Sequence, residues 1–349
     1  MGIYIGDTPI LSSSGGKSPY EVAKENGYTG TEAEFNAALV EIDEEVTPAS
    51  IGAYTQEEVD NMLQEKQNVI DGLEKQLASR PNPNLLDNWY FGNPVNQRGL
   101  ASGQLWGESS YGLDRWYTLY NNAVYWDSNG YVCFPGNVMN CIIEQKTEQN
   151  LIGKTVTISA LTDDNRLFSV TGVVPFSAYD GAFQIAFVEE TNSFRYWWLG
   201  TADIHVTAVG AELGTEQTLA HQDADGNWVL NEIPDYGEQL AKCQRYYRVF
   251  KSSHPFSTFG GGLVSAVHAV EVTIIFPVPM RVAPAFTALG GFTSNSDSFS
   301  GVTEVVQLYS SQTGSTLRVA VSGDFVVGNY ATLQGDGDNN STLIFDADL

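Results

Sequence analysis

Between Val59 and Leu77 the residues Val59, Leu63, Lys66, Ile70, Leu73 and Leu77 follow one another at spacings of four, three, four, three and four. That is the 3.5-residue period of a left-handed coiled coil. Thr55 with Glu58 forms a capping box that starts the helix, and Pro81 with Pro83 stops it. At roughly 1.5 Å per residue the rod is about 40 Å long. Lys66 weakens the seam, and Ile70 with Leu73 does not fix an oligomer number. The alternative is one amphipathic helix packed on its own domain; the period favours self-association, over fewer than four heptads.

Upstream, residues 1–17 read as an extended arm whose Ile3, Tyr4, Ile5 and Ile10 suit addition to a partner's sheet. Gly15-Gly16-Lys17-Ser18 resembles the end of a phosphate loop, but Leu11 stands where that loop needs glycine. Ser18 is better read as an N-cap, with Pro19 at the first helical position and Glu21 closing the box. That helix ends at Asn26-Gly27. A second begins at Thr31 with Glu34 as box partner, carries Phe35, Leu39 and Ile42 on one face, and is broken by Thr47-Pro48.

From Asn84 the period changes to 2, punctuated by Gly, Asn, Asp and Pro. Alternating stretches fall at Asn122–Trp126, Tyr131–Phe134, Lys154–Ala160, Leu167–Val174, Ala182–Glu189 and Ile204–Glu212, which predicts a β-sandwich of jelly-roll type. Pro234–Arg248 is the one helical stretch of this half. Further strands are predicted near Tyr246–Phe250, Leu263–Phe276, Ala285–Leu289, Val302–Ser310, Ser315–Ser322 and Thr342–Phe345. Polar loops separate them at Ser252–Gly262, Gly290–Gly301 and Gln334–Ser341. The expected fold is mainly β: an arm (1–17), a short helical pair (18–46), a coiled-coil stalk (47–83), then two jelly-roll-like β-sandwich domains (84–237 and 238–349).

Composition narrows the partners. A formal charge of −25 leaves no surplus of Lys and Arg to neutralise phosphates, which argues against nucleic acid and against an anionic membrane surface. Residues 1–80 hold 15 acidic against 5 basic side chains and residues 251–349 only 8 against 3, so the weakly charged C-terminal end suits neutral polar ligands. Cys133, Cys141 and Cys243 have no metal-binding spacing and read as reduced and packed. The start has no basic region followed by an apolar run, and no stretch approaches the roughly 20 residues of a membrane span. A protein made in the cytoplasm without a signal peptide and without membrane insertion is expected.

Candidate chemistry rests first on the aromatic residues of the middle domain: Trp89, Tyr90, Trp106, Tyr111, Trp116, Tyr117, Tyr125, Trp126, Tyr196, Trp197 and Trp198. Sugar rings lay their C–H faces on such rings while neighbouring polar groups take the hydroxyls, although half or more of these rings are expected in the core. Arg115 beside Trp116 is one candidate contact. The polar distal loops supply the others: Tyr246, Tyr247, His254, Phe256, Phe259, Phe292 and Asp297. Asp223, Asp225 and Asn227 begin like a calcium loop, but DADGN is also a hairpin turn, and the plain turn is favoured. No other cofactor is implied. The four histidines have no zinc spacing, and no G-x-S-x-G elbow occurs. Adjacent pairs such as Asp163-Asp164 and Glu189-Glu190 point to opposite faces of a strand and cannot flank one glycosidic bond.

Four stretches taken together resemble receptor-binding tail fibre proteins of phages and prophages of Gram-positive gut-type bacteria: Ser18–Leu39, Pro48–Asp60, Asn84–Gly99 with Tyr111–Trp116, and Leu219–Phe250 followed by Phe276–Arg281. The resemblance implies a homotrimer whose N-terminal end attaches to a tail or baseplate protein. It also implies a carbohydrate-binding-module-like sandwich and a C-terminal β domain at the tip that contacts a host-surface glycan. Such a protein belongs to a virion or tail particle released by lysis. A capsule or cell-wall depolymerase is the enzymatic alternative, and a baseplate or fibre-joining protein the structural one.

Overall fold

The computed structural model describes residues 4–5, 8–9, 17–45, 54–78, 82–120, 123–337 and 340–348. Ile3, Ile10, Gly15, Gly16, Thr47, Pro48, Pro81 and Asn122 lie outside the described residues, as do the side chains of Tyr4, Ile5, Ile42, Leu73 and Leu77. The chain divides into two units, Met1–Leu77 and Ala78–Leu349.

In the first unit β1 (Tyr4–Ile5) pairs antiparallel with β2 (Thr8–Pro9). Helix α1 (Pro19–Glu25) starts with a complete capping box: Glu21 N–H donates to Ser18 Oγ at 3.2 Å, and Ser18 N–H donates to Glu21 Oε2 at 2.7 Å. Helix α2 (Glu32–Glu45) has the same device in Thr31 and Glu34. Tyr20, Tyr28 and Phe35 hold the two helices together, with ring centroids 5.4 to 6.3 Å apart. Helix α3 (Gln56–Ala78) is opened by Thr55 and Glu58, whose box bonds are 2.8 and 3.1 Å. Of its seam residues Val59 is half-buried, while Leu63, Lys66 and Ile70 are exposed in the single chain.

The second unit is built from strands. Ten of them form two five-stranded antiparallel sheets: β3 (Tyr117–Leu119), β4 (Tyr125–Asp127), β5 (Tyr131–Phe134), β6 (Cys141–Lys146), β7 (Thr155–Thr162), β8 (Leu167–Val173), β9 (Phe176–Asp180), β10 (Phe183–Val188), β11 (Ser193–Trp198) and β12 (Ile204–Leu213). One sheet has the order β3-β6-β11-β10-β9 and the other β4-β5-β12-β7-β8. Both contribute to one apolar core: Ile185, Phe194 and Tyr196 from the first meet Ile158, Val206 and Val209 from the second. The Tyr196 hydroxyl donates to the Gly210 carbonyl at 3.0 Å, which satisfies a polar group that would otherwise be costly at the centre of this core. All three cysteines are buried and free.

A short hairpin, β13 (Ala220–Gln222) and β14 (Trp228–Leu230), leads to α4 (Tyr236–Cys243), capped by the Asp235 side chain. Nine strands follow: β15 (Tyr247–Lys251), β16 (Thr258–Ala266), β17 (Ala269–Ile275), β18 (Ala285–Leu289), β19 (Phe292–Asn295), β20 (Phe299–Ser310), β21 (Gly314–Val321), β22 (Tyr330–Gly335) and β23 (Thr342–Asp346). They form no second sandwich. Six close into an antiparallel barrel, β16-β17-β21-β20-β19-β22, beside a three-stranded sheet β15-β23-β18. Closure brings backbones close at β16, where a Cβ on Gly262 would lie 1.7 Å from the Glu271 carbonyl oxygen. The expected single strand Leu263–Phe276 is a hairpin, β16 and β17, that turns at Val267-His268. The expected loop Gly290–Gly301 contains β19 and the start of β20.

Candidate functional site

Arg115 and Trp116, which read as a surface sugar contact, are buried together with their neighbours Leu113 and Asp114. Trp116 stands between Phe91 and Tyr196, with ring centroids 5.6 and 6.1 Å away, and its indole N–H donates to the Asn88 carbonyl at 2.8 Å. A ring enclosed on both faces offers no platform to a sugar. Arg115 holds Asp87 at 3.3 Å and donates to the Lys146 carbonyl at 2.6 Å.

Tyr246 and Tyr247 are buried as well, in a joint between the sandwich and the sheet β15-β23-β18. The Arg115 guanidinium lies 3.4 Å from the Tyr246 ring centre. Arg98 lies 3.8 Å from that of Tyr247 and 4.4 Å from that of Tyr111, and pairs with Asp348. Desolvated stacks of this kind are worth about 2 kcal/mol each. Gln97 completes the joint: its backbone N–H donates to Asp114 Oδ2 at 2.5 Å and its side chain to the Tyr247 carbonyl at 2.8 Å. Burial pushes the Tyr246 hydroxyl up to about 12. These residues fasten two parts of the unit, a structural task that corrects their assignment as ligand contacts.

The remaining distal candidates separate into two groups. Phe292 is buried in the barrel core, and half-buried Phe259 packs on it with ring centroids 5.6 Å apart. His254, Phe256 and Asp297 are exposed. Phe256 has a φ of 61°, held by a turn in which Ser257 N–H donates to the His254 carbonyl at 3.1 Å, and its ring meets exposed Phe299 at 5.6 Å. Asp297 accepts two bonds from the Asn329 amide, at 2.8 and 3.1 Å. In the β13–β14 turn Asp223 Oδ1 accepts from the backbone N–H of Asp225 and of Asn227, at 2.9 and 2.8 Å, and Asn227 Oδ1 accepts from Asn165. The geometry is that of a turn closed by its own aspartate. Among the described residues no group of three or more His, Cys, Asp or Glu is placed to hold a metal ion.

The outward face of the sheet β3-β6-β11-β10-β9 carries a different set. Strand register places Leu119, Ile142, Trp197, Gln184 and Tyr179 in one row across the five strands, and Tyr117, Glu144, Arg195, Ala186 and Ser177 in the next. Alternation sends Phe194, Tyr196 and Trp198 into the core and leaves Arg195 and Trp197 outside. A cleft of about 360 Å³ lies over these rows, walled by Pro175–Ser177 on one side and by Glu189 and Glu190 on another. Trp197 is half-buried at its floor and Tyr179, 62% exposed, stands one strand beyond Gln184. Arg195 Nη2 lies 2.8 Å from Glu144 Oε2, so the guanidinium is fixed by a buried carboxylate. The Gln184 amide donates to Ser177 Oγ at 2.7 Å. Trp197 Nε1 and Gln184 Oε1 are both shielded from solvent and have no hydrogen-bond partner among the described residues. An aromatic floor beside a fixed cation suits a flat, hydroxyl-bearing ligand.

Of this set the sequence pointed to Trp197 and Tyr117 only as members of an aromatic list. The signal that singles out Trp197 is parity along Ser193–Trp198, which three successive aromatics conceal. No family model, curated protein or solved structure matches the chain. The fold and the site therefore define only a class: a mainly β chain in which a two-sheet sandwich is joined to a small closed barrel. Among the described residues no helix is long and apolar enough to cross a membrane.

Proposed function

We propose that this chain is a receptor-binding protein of a phage or prophage tail particle and that it attaches the particle to a host-surface glycan. In this reading the sandwich is of jelly-roll type, the N-terminal residues engage a tail or baseplate protein, and α3 is a trimeric coiled-coil stalk. The observation that carries the proposal is the cleft floored by Trp197, a ring held open on a rigid sheet with polar groups on either side. Single-site sugar contacts of this kind are weak. Three copies on one stalk multiply them by avidity when the host surface presents repeated units.

Trp197→Ala is expected to weaken adsorption of the full chain to host cells at least tenfold, because the stacking surface for a sugar ring is lost. Adsorption within twofold of the wild-type value would remove the cleft from the binding surface. The stalk has its own test. The full chain of 38.1 kDa is expected to sediment at about three times its mass, and a chain beginning at Asn84 as a smaller assembly or a monomer. A full-length monomer would end both the avidity argument and the seam of Val59, Leu63 and Ile70.

A further inference from the structure

Resting on the reading of this cleft as a carbohydrate site, we infer that its ligand is an uncharged sugar chain and that uronate- and phosphate-bearing polymers are excluded from it. Trp197 and Gln184 are cross-strand partners. The half-buried Trp197 ring lines the cleft and offers an apolar surface to the C–H face of a sugar, a surface with no charge to answer a carboxylate or phosphate.

The charges around the cleft act in the same sense. Glu189 and Glu190 are exposed on its wall. Arg195 is the one cation among its described lining residues, and Glu144 takes up that charge through contacts at 2.8 and 3.2 Å. An anion entering the cleft is desolvated beside two carboxylates and meets no cation free of a carboxylate partner. An uncharged ring loses only the water on its C–H face and meets no opposing charge.

The experiment titrates the full chain with maltohexaose, lactose and triacetylchitotriose as uncharged probes, and with trigalacturonate and a glycerol phosphate oligomer as anionic ones. The proteins compared are wild type, Trp197→Ala, and the double variant Glu189→Lys with Glu190→Lys. The expected result is saturable binding of at least one uncharged probe, weakened tenfold or more by Trp197→Ala, with no anionic binding to wild type. The double lysine variant is expected to gain binding of trigalacturonate. An anionic probe that binds wild type and is lost in Trp197→Ala overturns the ligand class and keeps the site. If no probe of either charge responds to Trp197→Ala, the carbohydrate reading of the cleft falls, and the ligand class with it.

Discussion

Trp116→Ala is expected to lower the stability of the Ala78–Leu349 unit by about 3–5 kcal/mol, the range for removing a large aromatic ring from a packed core. The ring is fully buried between Phe91 and Tyr196, so the neighbours lose contact on both faces and cannot collapse without moving the strands that carry them. The loss extends beyond packing. The indole N–H is the donor to the Asn88 carbonyl. Asn88 in turn donates its amide to the Val95 and Asp114 carbonyls and receives the Val95 N–H on its side-chain oxygen. Urea unfolding monitored in the far ultraviolet measures the effect. A surface sugar platform at this position would give a change within about 0.5 kcal/mol together with a binding defect, and that pairing would show the core assignment to be wrong.

Asp114→Asn is expected to make the protein more stable than wild type near neutral pH, by up to about 3 kcal/mol, and to bring no gain near pH 4. Burial raises the Asp114 carboxyl to about 6 from an ordinary 3.8, opposed only in part by Arg98 and by the bonds from Gln97. A rise of about two units corresponds to about 3 kcal/mol between the protonated and ionised forms. The folded state keeps this proton over a range where the unfolded chain has released it. The contribution is therefore fully present below about pH 3.8 and is lost as pH rises through 6. Asparagine carries no charge and keeps an acceptor for the Gln97 backbone N–H, giving up the longer contact from the Gln97 amide at 3.2 Å. Unfolding free energies at pH 4.5, 6 and 7.5 test the point. Burial also raises Asp348 and Glu212, so a shallower slope in the same direction survives in the variant. Parallel profiles for variant and wild type would exclude the carboxyl as a source of pH dependence.

Periodicity located most of the sandwich. Strands predicted at Tyr131–Phe134, Leu167–Val174, Ala182–Glu189 and Ile204–Glu212 fall within one residue or so of β5, β8, β10 and β12. Burial alternates in β8 and in the first half of β12, where one face is core and the other is open. The three N-terminal capping boxes were equally plain, since each is a local device of four residues. Strands β6 and β11 escaped because their outward faces are themselves partly covered: Ile142, Glu144 and Ser193 are buried and erase the alternation.

The site was less legible, for a reason of chemistry. Asp-Arg-Trp has the same composition whether it meets a ligand or a core, and only long-range partners separate the two. Arg115 and Arg98 find theirs in Tyr246, Tyr247 and Asp348, which lie far along the chain. The cleft at Trp197 likewise depends on register across five strands, which no single stretch encodes. Closure of the barrel was hidden in the same way, because a ring of strands and an open pair of sheets call for the same alternation along each strand.

The three-stranded sheet β15-β23-β18 bears on how such a chain changes over time. Between β15 and β18 the backbone leaves to make two barrel strands, β16 and β17, and between β18 and β23 it leaves again to make the other four. Neither excursion is a barrel alone. The sheet in turn is held by pairings such as Lys251 with Thr342, which the barrel brings into range. Barrel and sheet are thus two loops of one weave, and neither can be cut out and replaced by an unrelated domain at a single seam. Recombination, which reshuffles terminal domains where one strand of chain connects them, has no such site here between Tyr247 and Asp346. Change in this half arrives by substitution within the weave, residue by residue.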